Sequence, residues 1–178
     1  DAEQNSRALC LRSEGEGGKM FHARIFIFML LLLLPFPCWS SDTVGRSLKD
    51  LNNEISLNPG SAEAYYNRGL YYSQKGEFDK AIADFTQAIE IDPKKPEAYY
   101  YRGRAYAKKE QHEAAIKDFT KTIEIDPSHA RAHYNRGISY AFYGETGKSI
   151  VDLQKSCGMK YKLACQKVEN ILGGKNKK

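Results

Sequence analysis

The chain has 178 residues and carries 27 Lys plus Arg against 22 Asp plus Glu, a net charge of +5. That length allows one modest domain, and so small a basic excess argues for a soluble surface and against nucleic acid as a partner. Much of the excess comes from Lys155 onward, and Lys175, Lys177 and Lys178 read as part of a disordered basic tail over 173–178.

Residues 1–19 fit neither a targeting signal nor a domain. Gly15-Glu16-Gly17-Gly18-Lys19 would be encoded by purine-rich codons, which can hold a bacterial ribosome-binding site. Met20 is therefore read as the start, and 1–19 as an untranslated leader or a disordered stretch. Met20 opens a segment with His22 and Arg24, then ten apolar residues from Ile25 to Leu34, then Pro-Phe-Pro-Cys-Trp-Ser-Ser. A basic start, a short apolar centre and small residues at the exit make a secretory signal peptide over 20–40, cleaved after Ser40. A spanning helix needs about 20 apolar residues, so an inner-membrane anchor through uncleaved residues 25–39 is the alternative. Acylation of Cys38 is disfavoured, because Phe36 and Pro37 stand where small residues are wanted. The location expected is periplasmic or secreted, with no stable membrane span after cleavage.

Further along, the chain repeats itself at a fixed interval, the one that separates Tyr65 from Tyr99 and Tyr99 from His133. Tyr65, Arg68, Gly69, Tyr72, Ala81, Phe85 and Pro93 return as Tyr99, Arg102, Gly103, Tyr106, Ala115, Phe119 and Pro127. A third pass gives His133, Arg136, Gly137 and Tyr140, after which the match decays. Such a period marks a helical solenoid, in which each unit covers its neighbour's apolar face. First helices are predicted near 63–75, 97–109 and 131–143. Ser61 and Ser128 are candidate N-caps, and Pro96 suits a first turn. Gly76 and Gly144 suit the left-handed residue that ends a helix. Second helices are predicted near 79–91, 113–125 and 147–157, with Ile82, Phe85, Ile89 and Ile116, Phe119, Ile123 forming one apolar stripe. Gly69, Gly103 and Gly137 fall inside helices at about 1 kcal/mol each relative to Ala, which close approach of the paired helix would offset. Leu51, Asn58 and Pro59 stand one full period before Phe85, Asp92 and Pro93, so Ser47 to Leu57 reads as a lone second helix.

These residues resemble the tetratricopeptide repeat, a helix–turn–helix of about 34 residues with Ala, Phe and a closing Pro on its second helix. The resemblance covers about Ser61 to Asp152. It implies an all-α, right-handed superhelical α-solenoid of three such units with capping helices. The units are read as 61–95, 96–129 and a degenerate 130–158. A half-repeat over 41–60 precedes them and a capping helix over 159–172 follows. One departure is regular: Arg68, Arg102 and Arg136 stand where the family commonly has Leu, and Tyr-Asn-Arg-Gly looks like a form found in many bacterial members.

Asp50, Asp84, Asp118 and Asp152 also recur with this period, on the second helices. With Arg68, Arg102 and Arg136 they suggest an ion-pair ladder, within each unit or across to the preceding one, for which guanidinium suits a bidentate partner. Binding of an anionic ligand by these Arg residues is the functional alternative.

The resemblance further implies a concave surface lined by the first helices. Its candidate groove residues are Glu63, Tyr66, Asn67, Leu70, Glu97, Tyr100, Tyr101, Arg104, Arg131, Tyr134, Asn135 and Ile138. Tyr66, Tyr100 and Tyr134 form a column with the period of the repeat, and Tyr is favoured at recognition surfaces. The same rings could instead pack between adjacent first helices. Some family members clamp the C-terminal carboxylate of chaperone tails with Lys, Asn and Arg. Here Asn67 stands at one such position, but Glu97 and Tyr101 occupy places that require cations, so that clamp is not assembled.

Cys157 and Cys165 flank a predicted corner at Gly158, beyond which a last helix should run from near Tyr161 to about Leu172. Cysteines across such a corner can reach disulfide distance, export permits oxidation, and the spacing is similar to that in secreted cysteine-rich helical-repeat proteins of bacteria. Free thiols are the next alternative and a metal the last, since structural zinc wants four ligands. His112, His129 and His133 show no metal-ligand spacing, and no phosphate loop, nucleophile elbow or zinc-protease motif occurs. No cofactor or metal is expected, and no enzyme. The expected function is a scaffold holding a protein or peptide partner of unknown identity. An accessory module binding a glycan or an enzyme, and self-association in the cell envelope, are the alternatives.

Overall fold

The computed structural model describes residues 47–173. The leader, the signal segment and the tail beyond Gly173 lie outside the described residues. Eight helices and no strands are present among the described residues. They are α1 Leu48–Leu57, α2 Ala62–Gln74, α3 Phe78–Ile91, α4 Pro96–Lys108, α5 His112–Ile125, α6 Ala130–Phe142, α7 Thr146–Gly158 and α8 Lys162–Gly173. Each packs on the helix before and the helix after it, and α2, α4 and α6 also touch one another in sequence. That is the neighbour-only packing of an α-solenoid.

The helix starts show what sets the register. Ser47 caps α1 in a full capping box: its Oγ accepts from Asp50 N–H at 3.2 Å while its own N–H donates to Asp50 Oδ2 at 3.3 Å. Ser61 Oγ accepts from Ala64 N–H at 3.1 Å, and Pro96 is the first residue of α4. At α6 the expectation fails. The cap is His129, whose Nδ1 accepts from Ala132 N–H at 3.1 Å. Ser128 instead turns back, its N–H and hydroxyl both donating to Asp126 Oδ1. This Asp126–Ser128 turn, like Lys94 N–H on Asp92 Oδ1, closes the Asp-Pro link between units.

Inside each unit the core is one aromatic or aliphatic side chain driven against a glycine. A Cβ on Gly69 would lie 2.7 Å from Phe85 Cε1, and one on Gly103 would lie 3.0 Å from Phe119 Cε1. In the third unit Leu153 replaces the Phe, and a Cβ on Gly137 would meet Ser149 O at 3.1 Å and Leu153 Cγ at 3.2 Å. Phe85, Phe119 and Leu153 are fully buried, as are Ala81, Ala88 and Ala115. The glycines thus let two helices approach to a distance at which an added Cβ would press on Phe85, Phe119 or Leu153.

The turn within each unit needs a left-handed residue. Gly76 and Gly144 supply it with φ of 77° and 89°. The second unit uses Glu110 at φ 61°, a residue type that accepts this conformation only at a cost.

Cys157 and Cys165 form a disulfide with Cα atoms 4.6 Å apart, tying α7 to α8. The corner they flank is not ended by Gly158, which remains helical; the left-handed residue is Lys160 at φ 63°.

Three stability measurements test this account. Gly103→Leu should lower urea stability by about 3 kcal/mol through overpacking, and an unchanged midpoint would refute the close approach. Gly76→Ala should cost about 1 kcal/mol by backbone strain alone, because no atom lies within 4 Å of the added Cβ. Replacing both Cys157 and Cys165 by Ser should cost about 2–3 kcal/mol for a loop this short, and alkylation of either thiol without reductant would contradict the bond.

Candidate partner-binding groove

The repeated Arg residues are spent on the scaffold. Arg68 donates from Nε and Nη2 to both carboxylate oxygens of Asp84, at 2.8 and 2.7 Å. Arg102 does the same to Asp118 at 2.8 and 2.8 Å, and Arg136 to Asp152 at 2.7 and 2.9 Å. The remaining Nη1 of each reaches back to the previous unit's second helix: Asn52 Oδ1 at 2.9 Å, Thr86 Oγ1 at 3.0 Å and Thr120 Oγ1 at 3.0 Å. One side chain therefore joins both helices of its own unit and the unit before it. Burial pushes the Asp118 carboxyl above the usual carboxylate range, with the Arg102 bonds pulling it back. The Asp84 and Asp152 bonds raise Arg68 and Arg136 above the ordinary guanidinium value. Asp50 is outside this arrangement: it is exposed and engaged by Ser47 at the start of α1. His133, in the slot of Tyr65 and Tyr99, is buried with Nδ1 3.2 Å from Asp152 Oδ1.

The Tyr column is packed between units. Tyr100 is only 3 % exposed, and Tyr66 and Tyr134 are half-buried. The Tyr66 ring lies 6.0 Å from Phe85 and 5.8 Å from Tyr101, and the Tyr100 ring 6.0 Å from Phe119. Burial, with Tyr101, Glu97 and Glu63 adding to it, raises the Tyr66 hydroxyl well above its ordinary pKa. Asn135 Nδ2 donates to the Tyr100 hydroxyl at 3.0 Å, so Asn135 too is committed within the protein.

A regularity that the repeat pattern does not announce covers each of these rings. The residue just before the next unit's first helix sits over the Tyr of the preceding unit. Lys95 Nζ lies 4.4 Å from the Tyr66 centroid, the His129 ring 4.7 Å from Tyr100, and the Tyr161 ring 5.2 Å from Tyr134. The sequence carried a signal for it: Lys95 and His129 occupy the same slot in consecutive units, but their unlike chemistry hid the shared role.

The other candidate groove residues fall on the faces of α2, α4 and α6 as follows. Glu63 is exposed and paired with Lys95. Glu97 and Arg131 are exposed, and Asn67, Leu70, Tyr101, Arg104 and Ile138 are half-buried. The Arg104 guanidinium lies 5.8 Å from the Tyr100 centroid and 5.4 Å from Tyr101, and Arg131 lies 5.8 Å from Tyr100. Among the described residues neither Arg104 nor Arg131 has a carboxylate partner within salt-bridge distance. Among the described residues no group of three or more His, Cys, Asp or Glu side chains could hold a metal ion.

Comparison with known proteins agrees with this geometry. The profile of the tetratricopeptide repeat family matches residues 62–95 and 96–129. A crystal structure of MamA superposes with a TM-score of 0.67 at 25% identity, over 72% of this chain and 76% of that one. Another MamA crystal structure gives 0.60 at 29% identity, over 64% and 65%. The first repeat domain of Spaghetti (RPAP3), solved with the HSP90 peptide SRMEEVD, gives 0.61 at 20% identity, over 64% and 91%. No curated protein matches the chain.

The ion-pair geometry predicts a contrast between two Asp residues in the same slot. Asp118→Asn should cost roughly 3 kcal/mol, by leaving the half-buried Arg102 charge without its carboxylate. Asp50→Asn removes a cap contact only and should cost clearly less. Equal losses in denaturant melts would place Asp50 in the ladder after all.

Proposed function

Because residues 62–129 are tetratricopeptide repeats, we propose that this protein is a non-enzymatic scaffold that holds a peptide or protein partner against the face built by α2, α4 and α6. The observation that carries the reading is the division of labour among its polar residues. Arg68, Arg102 and Arg136, with their Asp partners, maintain the stack, while Arg104, Arg131, Glu97, Asn67 and the apolar Leu70 and Ile138 are left on the first-helix faces with access to a ligand. A face mixing cations, an anion, an amide and aliphatic side chains has the chemistry to contact a peptide along its length. A sugar would want open aromatic faces, and here Lys95, His129 and Tyr161 lie on the Tyr column, which favours a peptide. The likeness to the Spaghetti domain carries the fold and not its peptide, since Asn67 stands at a clamp position but Glu97 and Tyr101 stand where cations would be needed.

Export is part of the proposal. The Cys157–Cys165 disulfide suits an oxidising compartment, and the layout of residues 20–40 is that of a signal peptide. Among the described residues no helix is long and apolar enough to cross a membrane. The protein would then work in the periplasm or outside the cell, held by residues 25–39 if cleavage does not occur.

The test is site-specific photo-crosslinking in the native envelope. A probe at Leu70 or Ile138 should trap one protein, and the same probe at Ala83 or Lys117, exposed on α3 and α5, should not. Equal capture from both sets would remove the groove from the proposal.

A further inference from the structure

We propose that Arg104 and Arg131 form a subsite for carboxylate side chains, so that the partner presents an acidic segment to the α4–α6 half of the groove. The inference deepens the proposed function and rests on it for the location of the partner.

The two guanidinium groups come from different units, yet each lies 5.8 Å from the centroid of the same ring, Tyr100. They are thus close enough for one short segment to touch both. Both act on the Tyr100 hydroxyl, which burial raises and these two cations pull back. The ring itself is fixed by Phe119 below, by His129 at 4.7 Å and by the Asn135 amide at 3.0 Å. Arg104 is held further by Tyr101 at 5.4 Å. An aromatic floor orients a guanidinium plane while leaving its N–H edge outward, where it can fork onto a carboxylate.

What singles out this pair is the missing counter-charge. The three ladder Arg residues each hold a bidentate Asp. On the first-unit side of the groove, Lys95 is matched by Glu63. Arg131 occupies the slot filled by Glu63 and Glu97 in the earlier units, and Arg104 the slot of Leu70 and Ile138. Neither cation is therefore demanded by the repeat. Two like charges brought to one ring with no carboxylate at salt-bridge distance cost energy that an acidic ligand would recover.

The neighbouring carboxylates decide what kind of anion fits. Glu63 and Glu97 both act on Tyr66 in the α2–α4 half, so a long uniform polyanion such as nucleic acid or a sulfated glycan would run from favourable into repulsive surroundings. A peptide can place two or three carboxylates over Arg104 and Arg131 and neutral or basic residues over Glu97. The groove thereby also sets which way the partner lies.

The experiment uses the disulfide-bonded protein and capped peptides without a terminal carboxylate: hexaglutamate, hexaglutamine and hexalysine. In nitrogen-15 spectra hexaglutamate should move the side-chain Nε–H signals of Arg104 and Arg131 before those of Arg68, Arg102 and Arg136. Its affinity should exceed that of hexaglutamine at least tenfold and fall as salt rises. Arg104→Gln with Arg131→Gln should weaken it at least fivefold, and Lys148→Gln with Lys155→Gln should leave it unchanged. Should the Arg104 and Arg131 double variant fail to fold, the shifts in the unaltered protein decide alone. Shifts confined to other residues, or an affinity unmoved by the Arg changes, would overturn the inference. Oligothymidylate or a heparin hexasaccharide binding at these two Arg as tightly as hexaglutamate would overturn its peptide character. If crosslinks at Leu70 and Ile138 persist while hexaglutamate is ignored, the acidic segment falls and the scaffold reading stands.

Discussion

The contact on which everything else rests is a bulky side chain seated where a helix has no Cβ. Phe85 against Gly69, Phe119 against Gly103 and Leu153 against Gly137 fix how near the two helices of a unit lie. That spacing brings Arg68, Arg102 and Arg136, each one residue before its glycine, within bidentate reach of Asp84, Asp118 and Asp152, each one residue before its bulky partner. Separation and ion pairing are therefore one design, written as two adjacent residues on each helix. The cost of a glycine inside a helix and the cost of burying a charge are both met by the same contact.

Joining one unit to the next is a separate problem, solved differently along the array. Between the first and second units, Ile89 and Tyr99 share an apolar cluster with Ala88 and Ala98. The slots of those two residues are filled at the last joint by Cys157 and, in spatial register, Cys165, and the disulfide replaces the apolar contact. The register there is shifted because the corner is built differently. Earlier units are linked by an Asp-Pro turn, but α7 ends with Lys160 N–H on Cys157 O and Tyr161 N–H on Ser156 O. The same bonds close the turn inside a unit, as Gly76 N–H on Ser73 O and Glu77 N–H on Tyr72 O. A shorter α7 and a shorter link bring α8 in early, so that Ala164 is fully buried like Ala64, Ala98 and Ala132.

Most of the fold was legible because its determinants repeat. Helices, their pairing and the left-handed Gly76 and Gly144 all follow from local residue chemistry at a fixed period. Half of the Arg network was legible too. The backward partners Asn52, Thr86 and Thr120 lie just after Asp50, Asp84 and Asp118 on the same helices, but an amide and two hydroxyls in one slot do not advertise a common acceptor. Asp50 misled for the opposite reason: it keeps the residue type, but among the described residues no Arg is bonded to it, and Ser47 takes it as a cap. Ser128 misled because the Asp-Pro turn competes for its hydroxyl and leaves His129 to cap α6. The burial of Tyr100 was hidden because its cover comes from the next unit's loop, which periodicity within one helix cannot reveal.

The last described helix departs from the pattern of the earlier first helices. In the shifted register Val168 stands in the slot of Arg136 and Glu169 in the slot of Gly137. A further second helix would need a glycine there for its bulky residue and an Arg for its Asp, and it would find neither. Glu169 is exposed, so the outward face of α8 presents a charge where every earlier unit presents a close-packing seat. Among the described residues α8 lacks the two contacts that secure α2, α4 and α6, and the disulfide ties it to α7.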